Sequence, residues 1–372
     1  MTLTGDRVEL PTVFVKGCPY VALKVNGQGP YLFVVDTGSD GMCISPLVAQ
    51  EAHIGSSRYR AAVTGASGQV ENLPSVLLDR VEAVSFSLEG VGATLMSPET
   101  ARLLALGLDQ KFGGLLGMTA LQSVLLEIDY PRRQVSVGRI GSVDLPVTEG
   151  LPYTGTMPQV TITTPSAKNA TTTARLDTGA YDTFTLTDIT TYPTRVGLIK
   201  QDAFSVGIGG YWRPLFGQLA GKIHLGPATW LDPKIYEGTA NRIGSQSLAP
   251  WKLIIDPEKK MLWLLNGKLT STTTWTGPID PDGRPAVYGY GRMPDGDGFI
   301  IREVDSGSRA ERAGLKVGDR CWNERPEPPA AAKEPAPDRL RLRVVRGAET
   351  FEVFMSLKDL PPATTKAAGS PP

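Results

Sequence analysis

The residues of this chain best suited to chemistry are two copies of the tripeptide Asp-Thr-Gly. The first is Asp36-Thr37-Gly38 and the second is Asp177-Thr178-Gly179. Two carboxyl groups held about 3 Å apart cannot both ionise, so they share one proton. One can then take a proton from water while the other protonates a carbonyl oxygen or a leaving amine. Such a pair predicts hydrolysis of peptide bonds without a metal ion or a covalent intermediate.

The neighbours of each aspartate fit this chemistry. Glycine two residues after the aspartate lets the backbone turn tightly and approach a partner turn, and the threonine can direct its hydroxyl group to that turn. Ser39 follows the first tripeptide and can bond the outer oxygen of Asp36, whereas Ala180 holds that place in the second copy. The two turns are therefore predicted to be chemically unequal. Taken singly, either turn fits an Asx-turn that ends a strand equally well.

The elements that position the two tripeptides form an internal repeat. In the first copy, the alternating run Val21–Val25 turns at Asn26-Gly27 and returns as an apolar strand into the tripeptide. Asn-Gly between two apolar runs is a strong signal for a β-hairpin. In the second copy, Val160–Thr163 and Thr171–Leu176 flank a polar turn and again run into the tripeptide. Both aspartates are therefore predicted to end a buried strand.

The repeat continues downstream of each tripeptide. Leu116-Gly117 in the first copy corresponds to Ile243-Gly244 in the second. An aspartate that opens a polar turn follows each glycine after twelve residues, at Asp129 and at Asp256. The first copy adds a helix-like stretch over Pro98–Leu106. The two tripeptides occupy equivalent positions in a long internal repeat, so chance is a poor explanation for either of them.

Composition and charge narrow the possible classes of function. Lysine plus arginine and aspartate plus glutamate both number 38 in 372 residues, so electrostatics does not favour a nucleic acid or an anionic membrane as partner. No apolar run approaches the roughly 18–20 residues of a membrane span, and no signal peptide is visible. His53 and His224, the two histidines, lack zinc spacing. We therefore expect no metal, no organic cofactor, no nucleic-acid partner and no transmembrane segment.

The three cysteines are Cys18, Cys43 and Cys321. Their spacing contains no Cys-x-x-Cys pair and indicates no disulfide framework. A bridge between Cys18 and Cys43 is an alternative, but two buried free thiols are the preferred interpretation.

The chain from Leu10 to Gly267 resembles the pepsin and retropepsin superfamily of aspartic peptidases, in particular the bacterial retropepsin-like type that carries a C-terminal PDZ domain. The motifs behind this resemblance are Val34–Ser39, Arg175–Ala180, Leu115–Gly117 and Ile243-Gly244. In that family the last two correspond to segments that cross beneath the catalytic loops. The resemblance implies two lobes that contribute one aspartate each, with an extended polypeptide substrate in the cleft between them.

We accordingly predict an all-β, bilobed acid-protease fold, in which two duplicated lobes form a single-chain pseudo-dimer, followed by a small PDZ-like α+β domain. The predicted boundaries are 10–145 for the N-terminal lobe, 146–268 for the C-terminal lobe, 269–285 for a linker, 286–360 for the PDZ-like domain and 361–372 for a disordered tail. The resemblance also favours a periplasmic or secreted location, with the cytoplasm as the alternative.

The C-terminal part carries its own signature. Gly298–Val304 predicts a strand, Ser306–Leu315 a turn and short helix, and Val317–Asp319 completes a pattern similar to bacterial PDZ domains. PDZ domains bind extended peptides by adding a strand to a sheet edge, so a peptide ligand is a further expected partner. The proline-rich segment Pro326–Pro337 opposes a groove-lining helix. A working peptide groove is therefore left open.

Two features depart from the family pattern. Arg242 stands where the family usually has an apolar residue. The first candidate for a substrate-covering flap, Val63–Val70, has no tyrosine, and the second candidate, Gly207–Trp212, fits an ordinary β-hairpin equally well. The flap residues proposed from these segments are Gly65, Gly68, Gly209, Tyr211 and Trp212.

The predicted function is that of an aspartic endopeptidase, with Asp36 and Asp177 as the shared acid–base pair. One alternative is a peptide-binding or scaffolding protein that keeps the fold without catalysis. Another is a glycosidase, whose two carboxyl groups would stand roughly 5–9.5 Å apart across a sugar bond. The separation of the two aspartates distinguishes the glycosidase from the peptidase.

Overall fold

The structure is a computed structural model that describes residues 1–168, 170–267, 287–324 and 339–356. It divides into two compact units: the first comprises Met1–Leu198 and Ser205–Thr274, and the second comprises Ile199–Phe204 and Trp275–Pro372. The predicted linker 269–285, the tail 361–372 and the segment Pro326–Pro337 lie outside the described residues. The predicted lobe and domain boundaries stay predictions.

The first copy of the repeat forms a sheet of nine strands in the order β1-β9-β6-β10-β5-β4-β8-β7, with β3 beside β4. The strands and helices of this copy are β1 (Thr2–Leu3), β2 (Arg7–Leu10), β3 (Thr12–Val15), β4 (Cys18–Val25), β5 (Gln28–Asp36), β6 (Met42–Ile44), α1 (Pro46–Glu51), β7 (Arg60–Thr64), β8 (Val70–Ala83), β9 (Phe86–Leu95), α2 (Pro98–Leu104), β10 (Phe112–Gly117), α3 (Met118–Leu121), β11 (Leu125–Asp129) and β12 (Gln134–Gly138).

The second copy forms another sheet of nine strands, in the order β17-β20-β23-β16-β24-β15-β14-β21-β22, and a separate hairpin of β18 and β19. Its elements are β13 (Leu151–Pro152), β14 (Gln159–Thr163), β15 (Thr171–Asp177), β16 (Phe184–Leu186), β17 (Thr194–Lys200), β18 (Ser205–Gly207), β19 (Gly210–Trp212), β20 (Leu215–Leu219), β21 (Lys222–Leu225), β22 (Ala228–Leu231), β23 (Lys234–Glu237), β24 (Arg242–Gly244), α4 (Ser245–Leu248), β25 (Lys252–Asp256) and β26 (Met261–Leu265), with 3₁₀ turns at Val147–Glu149 and Ile189–Thr191.

Local sequence explains why β4 and β5 form a hairpin that ends at Asp36. Asn26 and Gly27 both have positive φ, 48° and 79°, as the tight turn between twisted strands requires. Tyr31–Val35 is buried throughout because β5 lies between β4 and β10. The equivalent hairpin of β14 and β15 carries Asp177, so both aspartates end a strand in the middle of a sheet.

The glycines of the repeat lie beside the aspartates. The strand β10 runs parallel to β5 and pairs Gly117 with Asp36. The strand β24 runs parallel to β15 and pairs Gly244 with Asp177. These crossing strands hold the ends of β5 and β15 in equivalent positions.

A six-stranded sheet, in the order β13-β26-β25-β11-β12-β2, joins the two copies. Its central pair, β11 and β25, is antiparallel and places Glu127 opposite Ile254. Asp129 Oδ1 accepts the backbone N–H of Arg132, and Asp256 Oδ1 accepts that of Glu258, both at 3.0 Å. The repeated aspartates therefore build turns of this sheet. One continuous hydrophobic core extends through both copies.

The second unit contains a five-stranded antiparallel sheet. Its elements are β27 (Tyr290–Asp295), β28 (Gly298–Val304), α5 (Arg309–Arg312), β29 (Arg320–Glu324), β30 (Arg339–Arg346) and β31 (Glu349–Ser356), and the strands follow one another in that order across the sheet. The predicted strand over Gly298–Val304 is present as β28. The side chain of Ser308 caps α5 by accepting the N–H of Glu311 at 3.1 Å. A core of its own, which includes Ile301 and Leu342, supports this sheet.

The predicted all-β, bilobed fold class is confirmed. The α-helices in the described part of the chain are short, and the longest, α2, has seven residues. It begins at Pro98 as predicted and ends at Leu104, two residues before the predicted end. No helix among the described residues has the length and apolar character needed to cross a membrane.

Candidate active site

Asp36 and Asp177 meet at the ends of β5 and β15, close enough for the Asp177 carboxyl group to raise the pKa of Asp36. Each carboxyl group lies against the glycine of the opposite turn. A Cβ atom at Gly38 would overlap the Asp177 carboxyl group, and one at Gly179 would overlap that of Asp36. Glycine at both positions is therefore what allows the two carboxyl groups to touch.

Thr37 and Thr178 interlock the two turns. The N–H of Thr37 donates to Thr178 Oγ1 at 3.0 Å, and the N–H of Thr178 donates to Thr37 Oγ1 at 3.1 Å. Each hydroxyl group then donates to a carbonyl of the opposite strand, at Leu176 (2.7 Å) and at Val35 (2.5 Å). Both threonines are fully buried. Four hydrogen bonds away from water thus fix the position of one aspartate relative to the other.

One oxygen of each carboxyl group accepts a backbone hydrogen bond. Gly38 N–H donates to Asp36 Oδ1 at 2.9 Å, and Ala180 N–H donates to Asp177 Oδ1 at 3.0 Å. Ser39 differs from its predicted role, because its hydroxyl donates to the carbonyl of Gly41 at 3.1 Å. Within the described structure the Ser39 hydroxyl therefore bonds a carbonyl of its own turn and not the Asp36 carboxyl group, whereas the Ser39 N–H donates to the Asp36 carbonyl at 3.2 Å.

Burial raises the pKa of Asp36 well above its ordinary value, and the adjoining Asp177 carboxyl group raises it further. The Gly38 N–H and the charge of Arg242 lower this pKa, but less strongly. A raised pKa favours the protonated form of Asp36 over a wider range of pH. The pair can therefore supply an acid and a base at the same place.

Part of the chain that includes the first Asp-Thr-Gly turn is similar to known proteins. Residues 21–120 match the family model described as aspartyl protease. The matched segment includes the first Asp-Thr-Gly turn and the crossing strand β10. A crystal structure of a retropepsin-like aspartic protease from Rickettsia conorii is similar to this chain at 17% sequence identity, over 36% of this chain and 90% of that chain, with a TM-score of 0.26. None of the curated proteins compared matches the chain.

Two arginines make the aspartyl-protease-like site asymmetric. In the first copy the crossing pair is apolar, Leu115 beside Val34, whereas in the second it is Arg242 beside Arg175. Arg175 Nη1 donates to the carbonyl of Gly38 at 3.1 Å. Sequence reasoning noted Arg242 as a departure but did not place it beside the carboxyl pair.

Arg242 connects Asp177 to a second acid. Its Nη1 lies 3.7 Å from Asp177 Oδ2, and its Nη2 donates to Thr185 Oγ1 at 3.3 Å. That hydroxyl in turn donates to Asp182 Oδ2 at 2.7 Å. Burial raises the pKa of Asp182, and the charge of Arg242 opposes this rise. The Arg242 guanidinium group therefore interacts electrostatically with two carboxyl groups, the buried one of Asp177 and the half-buried one of Asp182.

The sequence did not reveal the residues that hydrogen-bond the backbone of the second Asp-Thr-Gly turn. Ser245, the first residue of α4, donates to the carbonyl of Thr178 at 2.6 Å, and Tyr130 lies 3.2 Å from the same hydroxyl. Cys18 donates to the carbonyl of Gly179 at 3.4 Å. Burial raises the pKa of this thiol to about 12, so it acts as a neutral donor. Only the serine directly after Ile243-Gly244 offered a signal in the sequence.

All three cysteines are free and buried, so Cys18 and Cys43 are not bridged. Within the part of the chain that the structure describes, no group of three or more His, Cys, Asp or Glu side chains is arranged to hold a metal ion. His224 lies on an exposed hairpin, where its Nδ1 is 2.9 Å from Thr229 Oγ1.

The two predicted flap segments contact each other. A Cβ atom at Gly65, in the turn between β7 and β8, would collide with the carbonyl oxygen of Ile208, at the tip between β18 and β19. The N–H of Gly209 donates to Glu71 at 3.3 Å. Ile208 packs among buried side chains of the first copy, which include Leu73. The two hairpins therefore form one joined structure.

The remaining flap candidates, Gly68, Tyr211 and Trp212, differ in their contacts and exposure. Gly68 closes the first tip by donating its N–H to the carbonyl of Gly65 at 3.0 Å. Tyr211 is 40% exposed. Trp212 lines a small pocket beside Arg242. The other residues lining that pocket are Tyr181, Asp182, Thr185, Ser205, Pro214, Tyr236 and Glu237.

Proposed function

We propose that this protein is an aspartic endopeptidase in which Asp36 and Asp177 form the shared acid–base pair. The observation that carries the proposal is the contact of the two carboxyl groups, held by the reciprocal hydrogen bonds of Thr37 and Thr178. The match of residues 21–120 to the aspartyl protease family supports the same reaction class.

In the proposed reaction the two carboxyl groups take opposite roles. Asp36 carries the shared proton, in keeping with its raised pKa. Asp177 takes the ionised role, and Arg242 Nη1 lies 3.7 Å from its Oδ2. The Asp177 carboxylate takes a proton from the attacking water, and Asp36 protonates the carbonyl oxygen of the peptide. As the C–N bond of the tetrahedral diol breaks, Asp177 gives its proton to the leaving amine and a hydroxyl group of the diol returns a proton to Asp36, which restores the starting state.

The proposed substrate is an extended polypeptide. We assign the joined hairpins, β7–β8 and β18–β19, as the cover that holds such a chain and keeps water from the reacting atoms. Their contact at Gly65 and Ile208 supports a cover contributed by both copies of the repeat. The pocket beside Arg242 and Trp212 is proposed to receive a substrate side chain.

The direct test is the pair of isosteric substitutions Asp36→Asn and Asp177→Asn. Each removes one ionisable group, so we expect kcat/KM for a fluorescently labelled, denatured protein to fall by roughly a thousandfold or more between pH 3 and pH 8. Asp40→Asn is the matched control, since Asp40 is exposed and lies four residues after the first aspartate. Circular dichroism and thermal unfolding establish that all three variants are folded. Substantial cleavage by either dyad variant would refute the mechanism.

A non-catalytic peptide-binding protein is the second candidate, because Arg242 is a departure from the family pattern at the carboxyl pair. In that case the wild-type chain would bind denatured polypeptides without cutting them over the same pH range. The glycosidase alternative is disfavoured, because glycosidase carboxyl groups stand about 5 Å or more apart across a sugar bond, whereas each carboxyl group here is packed against the glycine of the opposite turn.

A further inference from the structure

A polar row of side chains crosses the second nine-stranded sheet beside Asp177. The strand register pairs Arg175 with Arg242, and Arg242 with Thr185. Thr185 pairs in turn with Tyr236 of β23. Paired residues on adjacent strands place their side chains on the same face of a sheet. Arg175 and Asp177 are two residues apart in β15, so the polar row shares the face that carries the second aspartate.

The corresponding row of the first copy is apolar. Val34 pairs with Leu115, and Leu115 pairs with Cys43. These three residues belong to one cluster of buried hydrophobic side chains. The strands around Asp36 therefore carry an apolar row, whereas those around Asp177 carry charged and aromatic groups. A polypeptide that lies across both copies meets different chemistry on the two sides.

The small pocket beside Arg242 lies at the polar row and within the first compact unit. Its other lining residues include three aromatic and two acidic ones: Tyr181, Trp212, Tyr236, Asp182 and Glu237. The ring of Tyr236 stacks on that of Phe216, with the ring centroids 6.0 Å apart, which fixes its orientation. The faces of tyrosine and tryptophan rings attract cations. The walls therefore suit a positively charged group with an aliphatic stem.

The charges at the pocket favour the same kind of group. Arg242 has only 9% of its side chain exposed, and its charge is opposed by Asp177, whose Oδ2 lies 3.7 Å from Nη1. The same charge also acts on Asp182. Glu237 is exposed, and its Oε2 accepts the N–H of Leu215 at 3.2 Å. Within the described residues, no cation forms an ion pair with this carboxylate.

We propose that this pocket binds the lysine or arginine side chain of a polypeptide substrate, and that Glu237 is the residue that selects for its positive charge. The aromatic rings contact the aliphatic stem and attract the cationic head, and the Glu237 carboxylate pairs with that head. The inference rests on the proposed function, because the basic side chain belongs to the substrate. It adds a substrate class that the Asp-Thr-Gly turns do not specify.

The first test measures binding by the full-length chain that carries Asp36→Asn, so that the probes are not consumed. The probes are three pools of fluorescein-labelled decapeptides that share one mixture of alanine, serine, leucine and phenylalanine and differ in a fixed central residue. This residue is lysine, norleucine, which has an uncharged straight chain, or glutamate. By fluorescence anisotropy, the Kd of the lysine pool should be about tenfold lower than that of the norleucine pool.

Glu237→Gln should remove most of this difference between the two pools. Glutamine can still accept the N–H of Leu215, so the variant removes the charge and keeps the local hydrogen bond. Glu237→Asp retains the charge and should keep part of the preference. Glu258→Gln is the matched control, because Glu258 is an exposed acid in a turn of the six-stranded sheet; it should leave both Kd values unchanged.

The second test measures cleavage of internally quenched versions of the lysine and norleucine pools by the chain with Asp36 intact. The ratio of their kcat/KM values should fall about tenfold in Glu237→Gln. If the lysine pool binds selectively but neither pool is cut, the peptidase function fails while the pocket assignment is supported. Equal Kd values for the lysine and norleucine pools, tighter binding of the glutamate pool, or a lysine preference that survives Glu237→Gln would overturn the pocket assignment.

Discussion

Replacing Arg242 by methionine is a sharp test of how the carboxyl pair is tuned. The guanidinium Nη1 lies 3.7 Å from Asp177 Oδ2, and both side chains are about nine-tenths buried, with 9% and 10% of their surface exposed. Methionine keeps an unbranched apolar side chain in β24 but removes the positive charge. The perturbation is therefore mainly electrostatic.

The size of the effect follows from this distance. Two unit charges 3.7 Å apart interact by about 4 kcal/mol at an effective dielectric constant of about 20. Asp182 shares the same guanidinium group, so we expect about half of that. Loss of a positive charge makes each ionisation of the pair harder. Both limbs of the kcat/KM profile should therefore move to higher pH.

The assay is kcat/KM for a fluorogenic peptide between pH 3 and pH 9, and it rests on the proposed peptidase function. Arg242→Lys retains the charge and should keep most of the wild-type profile. Arg139→Met removes an exposed arginine from the six-stranded sheet region and should change nothing. The double variant Arg242→Met and Asp182→Asn also removes the Asp182 carboxyl group, which loses its neighbouring positive charge when Arg242 is replaced. A profile of Arg242→Met that superimposes on the wild type, or moves to lower pH, would refute the reasoning.

Two further predictions concern the turn lock and the joined hairpins. Thr178→Val leaves two buried backbone groups without hydrogen-bond partners, so it should lower the free energy of unfolding, measured by urea denaturation, by about 2–4 kcal/mol. Thr171→Val, at the exposed start of β15, is the control and should change this free energy little. Equal values for the two variants would contradict the stabilising role of the Thr178 hydrogen bonds. Gly65→Ala should push the hairpin tip away from Ile208 and lower kcat/KM by about ten- to a hundredfold. Gly55→Ala is its control, since a Cβ atom at Gly55 meets no other atom within 4 Å, and equal kinetics of both variants would exclude a role for the tip contact.

The sequence alone was sufficient to predict the features that depend on residues close to one another in the chain, such as hairpin turns, strands and helix starts. Asn26-Gly27 predicted the hairpin because both residues tolerate positive φ, and the alternating or apolar runs around it predicted strands that end at Asp36 and Asp177. The start of α2 was predictable from Pro98 and its preceding serine, whose hydroxyl accepts a backbone N–H of the first turn. The repeat spacing placed Leu116-Gly117 and Ile243-Gly244 in equivalent positions, and the family resemblance implied that both segments cross beneath the catalytic loops.

Only the tertiary structure decided which distant groups meet. The packing of each carboxyl group against the glycine of the opposite turn, the position of Arg242 beside Asp177 and the contact of Gly65 with Ile208 all join segments far apart in the chain. The hydroxyl of Ser39 bonds its own turn, and Asp202, which no motif singled out, is bound by two N–H groups of the second unit. Local propensity carries no information about such partners, because they depend on how separately formed hairpins and sheets pack together.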